Sequence, residues 1–271
     1  QTHRKDMYTF SSKLKTFSFV LMLVGILGIG YGFLTAPKDI QEVEQLLKAD
    51  SHGDHHDAAN TESHDAHAAA GHDAHADAEH KAHLEHVLHQ LQNKPWAAFY
   101  VACIFFMLVS LGVLVFYAIQ QVAQAGWSPV LFRVMQGITS YLPVGSVIFF
   151  IFLVLCGLHF NHLFIWLDPE VVKHDELIQT KSGFLNFPFW IVRAAVFLLG
   201  WNLYRYYSRK NCLAQDESND NSFYKKNFNY SAGFLVFFIV TESIMSWDWI
   251  MSIDPHWFST LFGWYVFASF F

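Results

Sequence analysis

The sequence predicts an all-α, polytopic transmembrane helical bundle, with five crossings of the bilayer and the start of a sixth. Composition is the first observation. Hydrophobic residues make up 53% of the 271 positions, aromatics 18% and charged residues 15%, where a soluble domain carries about 25% charge. The second is uneven distribution: the stretch that begins at Lys38 is strongly polar, so the remainder is more apolar still. The third is run length, since several segments reach the roughly 17–25 apolar residues that the hydrocarbon core demands of a helix.

The crossings follow in order. Residues 1–15 form a leader, and the first crossing takes residues 16–34. It carries Gly25, Gly28, Gly30 and Gly32, and small residues let a neighbouring backbone approach closely. Tyr31, Phe33 and Leu34 stand where a cleaved signal peptide needs small residues, which favours an uncleaved anchor. Residues 35–95 form a His/Asp/Ala-rich loop, and residues 96–271 hold the other crossings. The second runs from Trp96 to Tyr117 and opens after Lys94-Pro95, a helix-start signal. The third runs from Pro143 to Trp166. The fourth runs from Phe187 to Tyr207, with Tyr204, Tyr206 and Tyr207 as an interfacial belt. The fifth runs from Ser231 to Met251. The sixth begins near Trp257 and is unfinished at Phe271, so the chain reads as part of something longer.

Basic residues set the expected orientation. The leader has Arg4, Lys5, Lys13 and Lys15, the loop between crossings four and five has Arg205, Arg209, Lys210, Lys225 and Lys226, and Arg133 lies between crossings two and three. These share a side. The opposite loops hold Lys38, Lys48, Lys81 and Lys94, diluted along residues 35–95, then Lys173 and Lys181. The expected location is a bacterial inner membrane with the N-terminus cytoplasmic and the His-rich loop outside.

Soluble enzyme chemistry is not legible. Cys103, Cys156 and Cys212 lie far apart, with no CxxC, CxxCH or ferredoxin-like spacing, which argues against attached haem or a self-contained iron–sulfur cluster. There is no glycine-rich phosphate loop and no G-x-S-x-G turn. No nucleic-acid partner is expected.

Residues 52–89 hold eleven of the sixteen histidines. Imidazoles and carboxylates suit zinc, copper or nickel, and His52, His55, His56, His64, His67, His72 and His75 are the candidate ligands. The plainer reading is an acidic, Ala-rich insertion with weak metal affinity, because a disordered loop must order before it can hold a ligand shell. Residues 77–92 have helical spacing through Ala78, Ala82, Leu84, Val87, Leu88 and Leu91.

Ionisable groups inside apolar crossings are costly, and usually face a protein interior, a cavity or an ion path. Glu242 occupies the twelfth position of the fifth crossing, roughly 18 Å in at 1.5 Å per residue and near the bilayer middle. With Ser243, Ser246 and Asp248 it has the makings of a proton path; a protonated carboxyl bridging two helices is the structural alternative. His159 and His162, three apart, would share a helix face near the outer end of the third crossing. They suit proton relay, a bond to a quinone carbonyl, or an interfacial position. One could ligate haem, but an i,i+3 pair cannot clamp it from both sides. Arg193 shares a face with Trp190 and Phe197 and needs an anion when buried; Asp248 lies at comparable depth. His256 follows Asp254-Pro255, which reads first as a turn. Arg193, Trp190, His256 and Asp254 are the candidates for a quinol cavity or ion pair.

The block from Trp247 to Tyr265, WDWIMSIDPHWFSTLFGWY, resembles the polysulfide-reductase-type (NrfD-like) membrane subunits of bacterial alternative complex III, which passes electrons from quinol to cytochrome c or directly to an oxidase. The His-rich loop and the segment with Pro143, His159 and His162 are more similar to the smaller of its two paralogues, quinone-binding subunit 2. The resemblance covers Met7 to Phe271; only the Trp-Asp-Trp…Asp-Pro-His-Trp block is specific. It implies a ten-helix subunit of two four-helix bundles, of which this chain holds the first and the leading helices of the second. It also implies partners: the paralogous NrfD-like subunit, a periplasmic iron–sulfur subunit, haem c subunits and, in some cases, a terminal oxidase, all among membrane lipids. Quinol, such as menaquinol, would be oxidised beside the iron–sulfur subunit in the larger paralogue. The smaller one would be an accessory subunit with a proton path and no metal cofactor of its own. Two other readings stand beside it. One is a divalent metal-ion transporter with a His-rich capture loop, which should repeat ligands at one depth across several spans; the spans before His159 have no His, Asp or Glu. The other is a purely structural scaffold.

Overall fold

The computed structural model describes residues 11–50 and 73–270. Every regular element among them is helical. The helices are α1 (Ser12–Thr35), α2 (Ile40–Asp50), α3 (Asp73–Val122), α4 (Phe132–Ile138), α5 (Tyr141–Gly157), α6 (Pro169–His174), α7 (Glu176–Lys181), α8 (Phe187–Glu217), α9 (Ser222–Met245) and α10 (Phe262–Ala268). Five segments are long and apolar enough to cross a membrane: Ser12–Thr35, Val87–Val122, Ser128–Gly157, Phe187–Glu217 and Ser222–Ile253. The protein is an all-α polytopic membrane bundle. The chain divides into two compact units after Phe99.

In the first unit α1 starts at Ser11, whose hydroxyl accepts the Leu14 N–H at 3.3 Å, satisfying one of the orphan donors of a helix start. None of its residues is buried. Gly25, Gly28 and Gly30 meet nothing within 4 Å at the position of a Cβ, so these glycines do not admit a neighbouring backbone in the unit. The Gln92 amide donates to the Pro37 carbonyl at 3.2 Å, and Phe33 meets the Trp96 ring edge-on at 4.9 Å.

The second crossing departs from expectation at its start. Pro95 lies inside α3, which begins at Asp73, so the helical pattern over 77–92 and the apolar run after Trp96 are one helix. Proline removes the N–H that would reach Leu91 and crowds that turn, but membrane helices accommodate the interruption where nearby groups re-satisfy the backbone. The third crossing ends at Gly157 rather than Trp166, and is preceded by a 3₁₀ turn at Ser128–Leu131 and by α4. The fourth and fifth extend beyond the expected ends, to Glu217 and back to Ser222. Near the expected start of a sixth crossing, Trp257 closes the turn after Asp254 with its N–H on the Asp254 carbonyl at 3.2 Å, and the short helix α10 begins only at Phe262.

In the second unit α8 and α9 pack most closely. Tyr204 stacks on Phe234 at 4.0 Å, its hydroxyl is 2.7 Å from Ser231 Oγ, and the Trp201 indole donates to Thr241 Oγ1 at 3.1 Å. Gly200 allows the approach, since a Cβ there would sit 2.4 Å from the Phe237 ring. Across α3, α5, α8 and the end of α9, Tyr100, Phe149, Phe152, Trp190, Trp201 and Trp249 form a buried aromatic core.

Gly200→Leu should therefore drive Phe237 out of place, at about 1–3 kcal/mol for overpacking. Thermal unfolding in detergent checks this, with Gly233→Leu, whose Cβ meets open space, keeping the wild-type midpoint.

Candidate functional site

The site is built where α9 stops being an α-helix. Ser246–Ile250 forms one π turn, followed by a 3₁₀ turn at Met251–Ile253. A π turn widens the helix by a residue and disrupts the regular carbonyl pairing. Here Met245, Ser246, Asp248, Trp249 and Ser252 are all buried. The Asp248 carbonyl accepts from Trp190 Nε1 at 2.9 Å and from Ser252 Oγ at 2.6 Å, and the Tyr100 hydroxyl donates to the Trp249 carbonyl. Side chains from α3 and α8 thus hold the turn open.

The Asp248 side chain is 0% exposed. Arg193, on α8, meets it with both arms of the guanidinium: Nε to Oδ2 at 2.6 Å and Nη2 to Oδ1 at 2.7 Å. Nη2 also donates to the Phe184 carbonyl at 3.0 Å, and the guanidinium lies over the Phe184 ring at 4.1 Å. Parallel N–H···O bonds of this kind are the strong form of an ion pair. Both carboxylate oxygens are thereby engaged, and Asp248 anchors the Arg193 guanidinium.

Glu242 is different. It is 2% exposed on α9. Oε1 is buried with no hydrogen-bond partner, and Oε2 has only the Ser243 hydroxyl, at 3.5 Å. Ser243 Oγ also bonds the Ile239 carbonyl at 3.1 Å and Ser246 Oγ bonds the Ser243 carbonyl at 2.7 Å, so both serines turn back onto their own helix. Glu242 and Asp248 are six residues apart, roughly 9 Å of helix rise. Below Glu242 the buried polar line on α9 passes Thr241 and resumes only at Ser231 and Asn227, with Phe234 and Phe238 buried between.

The histidines sit elsewhere. His159 and His162 lie beyond α5, not on one helix face. His159 has φ +61°; its N–H bonds Cys156 O at 3.1 Å and the Phe160 N–H bonds Leu155 O at 3.2 Å. That pair of bonds is a Schellman cap with His159 in the left-handed position usually given to glycine. The nearest glycine, Gly157, lies two residues earlier, where a Cβ would meet the Phe187 ring at 1.9 Å. An i,i+3 face therefore never forms. Both histidines are exposed, with His162 Nδ1 3.9 Å from Asp168 Oδ2.

His256 is in the Asp254-Pro255 turn, where its N–H bonds Asp254 Oδ1 at 3.1 Å, and its Nε2 lies 2.5 Å from Asp175 Oδ2. Asp175 also caps α7 by accepting the Leu177 and Ile178 N–H groups at 2.9 and 3.1 Å. The bond from Ile178 does most to hold its carboxyl below the ordinary value of 3.8, with His256 adding to it.

Beside the ion pair a cavity of about 400 Å³ opens between the α7–α8 connection and residues 247–258, lined by Lys181, Phe184, Trp247, Met251, Trp257 and Phe258 among others. Trp190, Arg193, Asp254 and His256 do not line it. The size is that of a small-molecule site, but the residues singled out for a quinol cavity border it rather than form it. Asp175 and Tyr100 carry no signal in the sequence, since their partners His256 and Trp249 are distant along the chain.

Among the described residues no three or more His, Cys, Asp or Glu side chains gather as a metal site. His52, His55, His56, His64, His67 and His72 lie outside the described residues, and His75 is on α3.

Removing Arg193 should leave a buried charge without a counterion. Arg193→Met should cost about 3–5 kcal/mol, while adding Asp248→Leu should recover most of the loss; a double-mutant cycle on unfolding in detergent reads the difference. Asp175 gives a pH-dependent expectation. Its folded value is lowered, so its contribution is complete above the ordinary aspartate range and is lost as pH falls through the lower folded value. The stability gap between wild type and Asp175→Asn should thus shrink steadily on acidification below about pH 4. A gap that widens there would reverse the assignment.

No protein-family model matches the sequence, and no curated protein matches it.

Proposed function

We propose that this chain is an integral membrane subunit of a respiratory quinol-oxidising complex of the alternative complex III type, and that Glu242 handles protons within it. The observation that carries the reading is the Glu242 carboxyl: 2% exposed, with Oε1 unpartnered, in a segment long and apolar enough to cross the bilayer. A buried carboxyl kept without a counterion is costly, and a site that gains and loses a proton gives it a use. Asp248 cannot play this part while Arg193 holds both its oxygens. It instead fixes the end of the path nearest the cavity lined by Trp247, Trp257 and Phe258, where a quinol ring would fit.

The resemblance over Trp247–Tyr265 supplies the wider frame. The chain would bind no metal of its own, and its partners would hold haem c and iron–sulfur clusters. It would sit in the bacterial inner membrane with its N-terminus in the cytoplasm. Ser243 and Ser246 donate to backbone carbonyls, so their part would be to orient Glu242, with water completing any relay. A structural scaffold is the second reading, supported by the closed Arg193–Asp248 pair and the side-chain bonds around the π turn.

Glu242→Gln separates the two in the complex purified from membranes. The proton reading expects quinol oxidation with fewer protons released per quinol; an unchanged yield with intact assembly would leave the scaffold. Copurification of haem c and iron–sulfur subunits tests the complex itself. Deleting residues 51–89 should leave quinol oxidation near normal, whereas loss of a metal-uptake activity would favour a transporter.

A further inference from the structure

A second cavity, of about 560 Å³, runs between α5 and α8, away from the Arg193–Asp248 pair. Its walls are apolar: Pro143, Val147, Phe150, Ile151, Leu198 and Leu199 among them. It opens on the outer face of the bundle, where Val147, Ile151, Leu199 and Tyr206 are more than half exposed. Along α8 it extends from Ala195 to Arg205, roughly 15 Å of helix rise and about half of a 30 Å hydrocarbon core.

The end of the groove is polar and basic. Asn202 Nδ2 donates across to Ser146 Oγ at 2.9 Å and to the Leu198 carbonyl at 2.7 Å, which leaves Asn202 Oδ1 buried without a donor. Arg205 Nε is likewise buried without an acceptor. Arg205 and Arg209 together line the adjoining crevice, and Arg133 and Arg209 the next. The acid there is Asp216, already paired with Arg133. The balance of charge at this end is positive, and the unmet needs are an acceptor for Arg205 and a donor for Asn202.

We infer that the α5–α8 groove binds an anionic glycerophospholipid, with one acyl chain in the groove and its headgroup phosphate at Arg205 and Arg209. Three features converge on this class. The groove has the depth of one leaflet. Its mouth faces the hydrocarbon. Its basic end offers a charge-assisted donor to phosphate, and Asn202 Oδ1 can take a glycerol hydroxyl. A zwitterionic lipid would bring its own cation into a positively charged end, which disfavours it.

The test uses the protein purified from membranes, with whatever copurifies, in nanodiscs of equal phosphatidylethanolamine and phosphatidylglycerol, with retained lipid read by native mass spectrometry. The wild type should retain phosphatidylglycerol in preference to phosphatidylethanolamine. Arg205→Gln should lower that retention roughly tenfold, and Arg205→Lys by less, as expected for loss of a hydrogen bond to a charged group. Val147→Trp, which fills the groove from its exposed lip, should displace the lipid with Arg205 intact. Equal retention of both lipids, unchanged retention in Arg205→Gln and Val147→Trp, or an uncharged quinone in place of the phospholipid would each overturn the inference. The proton yield in Glu242→Gln is read separately, so this result does not depend on the proposed function.

Discussion

A carboxylate that is wholly removed from solvent must be neutralised where it stands, and at Asp248 that requirement organises the surrounding structure. Arg193 satisfies it only if α8 and the end of α9 keep one relative register, because two parallel bonds at 2.6 and 2.7 Å tolerate little sliding. The aspartate also has to enter the bundle beside Trp249, which a regular helix would place about 100° around its axis from residue 248. The π turn brings both inward. Its carbonyls are then taken up by Trp190, Ser252 and Tyr100. Ion pair, widened turn and aromatic core are thus parts of one arrangement, and a change in one is felt in the others.

Glu242 shares the helix and the burial but has no counterion among the described residues. The contrast divides the two acids by role. Both oxygens of Asp248 are taken up by Arg193, whereas Glu242 Oε1 is buried without a hydrogen-bond partner and Oε2 has only the Ser243 hydroxyl. The buried apolar interval at Phe234 and Phe238 makes the surroundings of Glu242 uneven along α9. Polar groups lie on the Asp248 side of Glu242, whereas the next buried polar group on the other side of that interval is Ser231.

The crossings and their order were legible because hydropathy is a local property, and a run of apolar residues reads the same in any context. So were Glu242, Asp248 and Arg193, since charge inside such a run stands out. The starts and stops were less so. Pro95 is a helix-start signal by local rules, yet α3 passes through it; the third crossing reads on to Trp166, yet His159 caps it just after Gly157, where Phe187 occupies the space a side chain would need. At Gly157 a contact from elsewhere in the chain overrides the local preference.

The sequence by itself determined an all-α membrane bundle, five apolar crossings and the few positions where a charge enters them. Only the tertiary structure decided that Asp248 belongs to Arg193, that Glu242 has no such partner among the described residues, and that the histidines at 159 and 162 leave the helix. The physical reason is that satisfaction of a buried group depends on atoms brought close by folding. Arg193 and Asp248 are 55 residues apart along the chain, and Tyr100 and Trp249 are 149 apart. Hydrophobic periodicity carries no information about which distant donor will arrive.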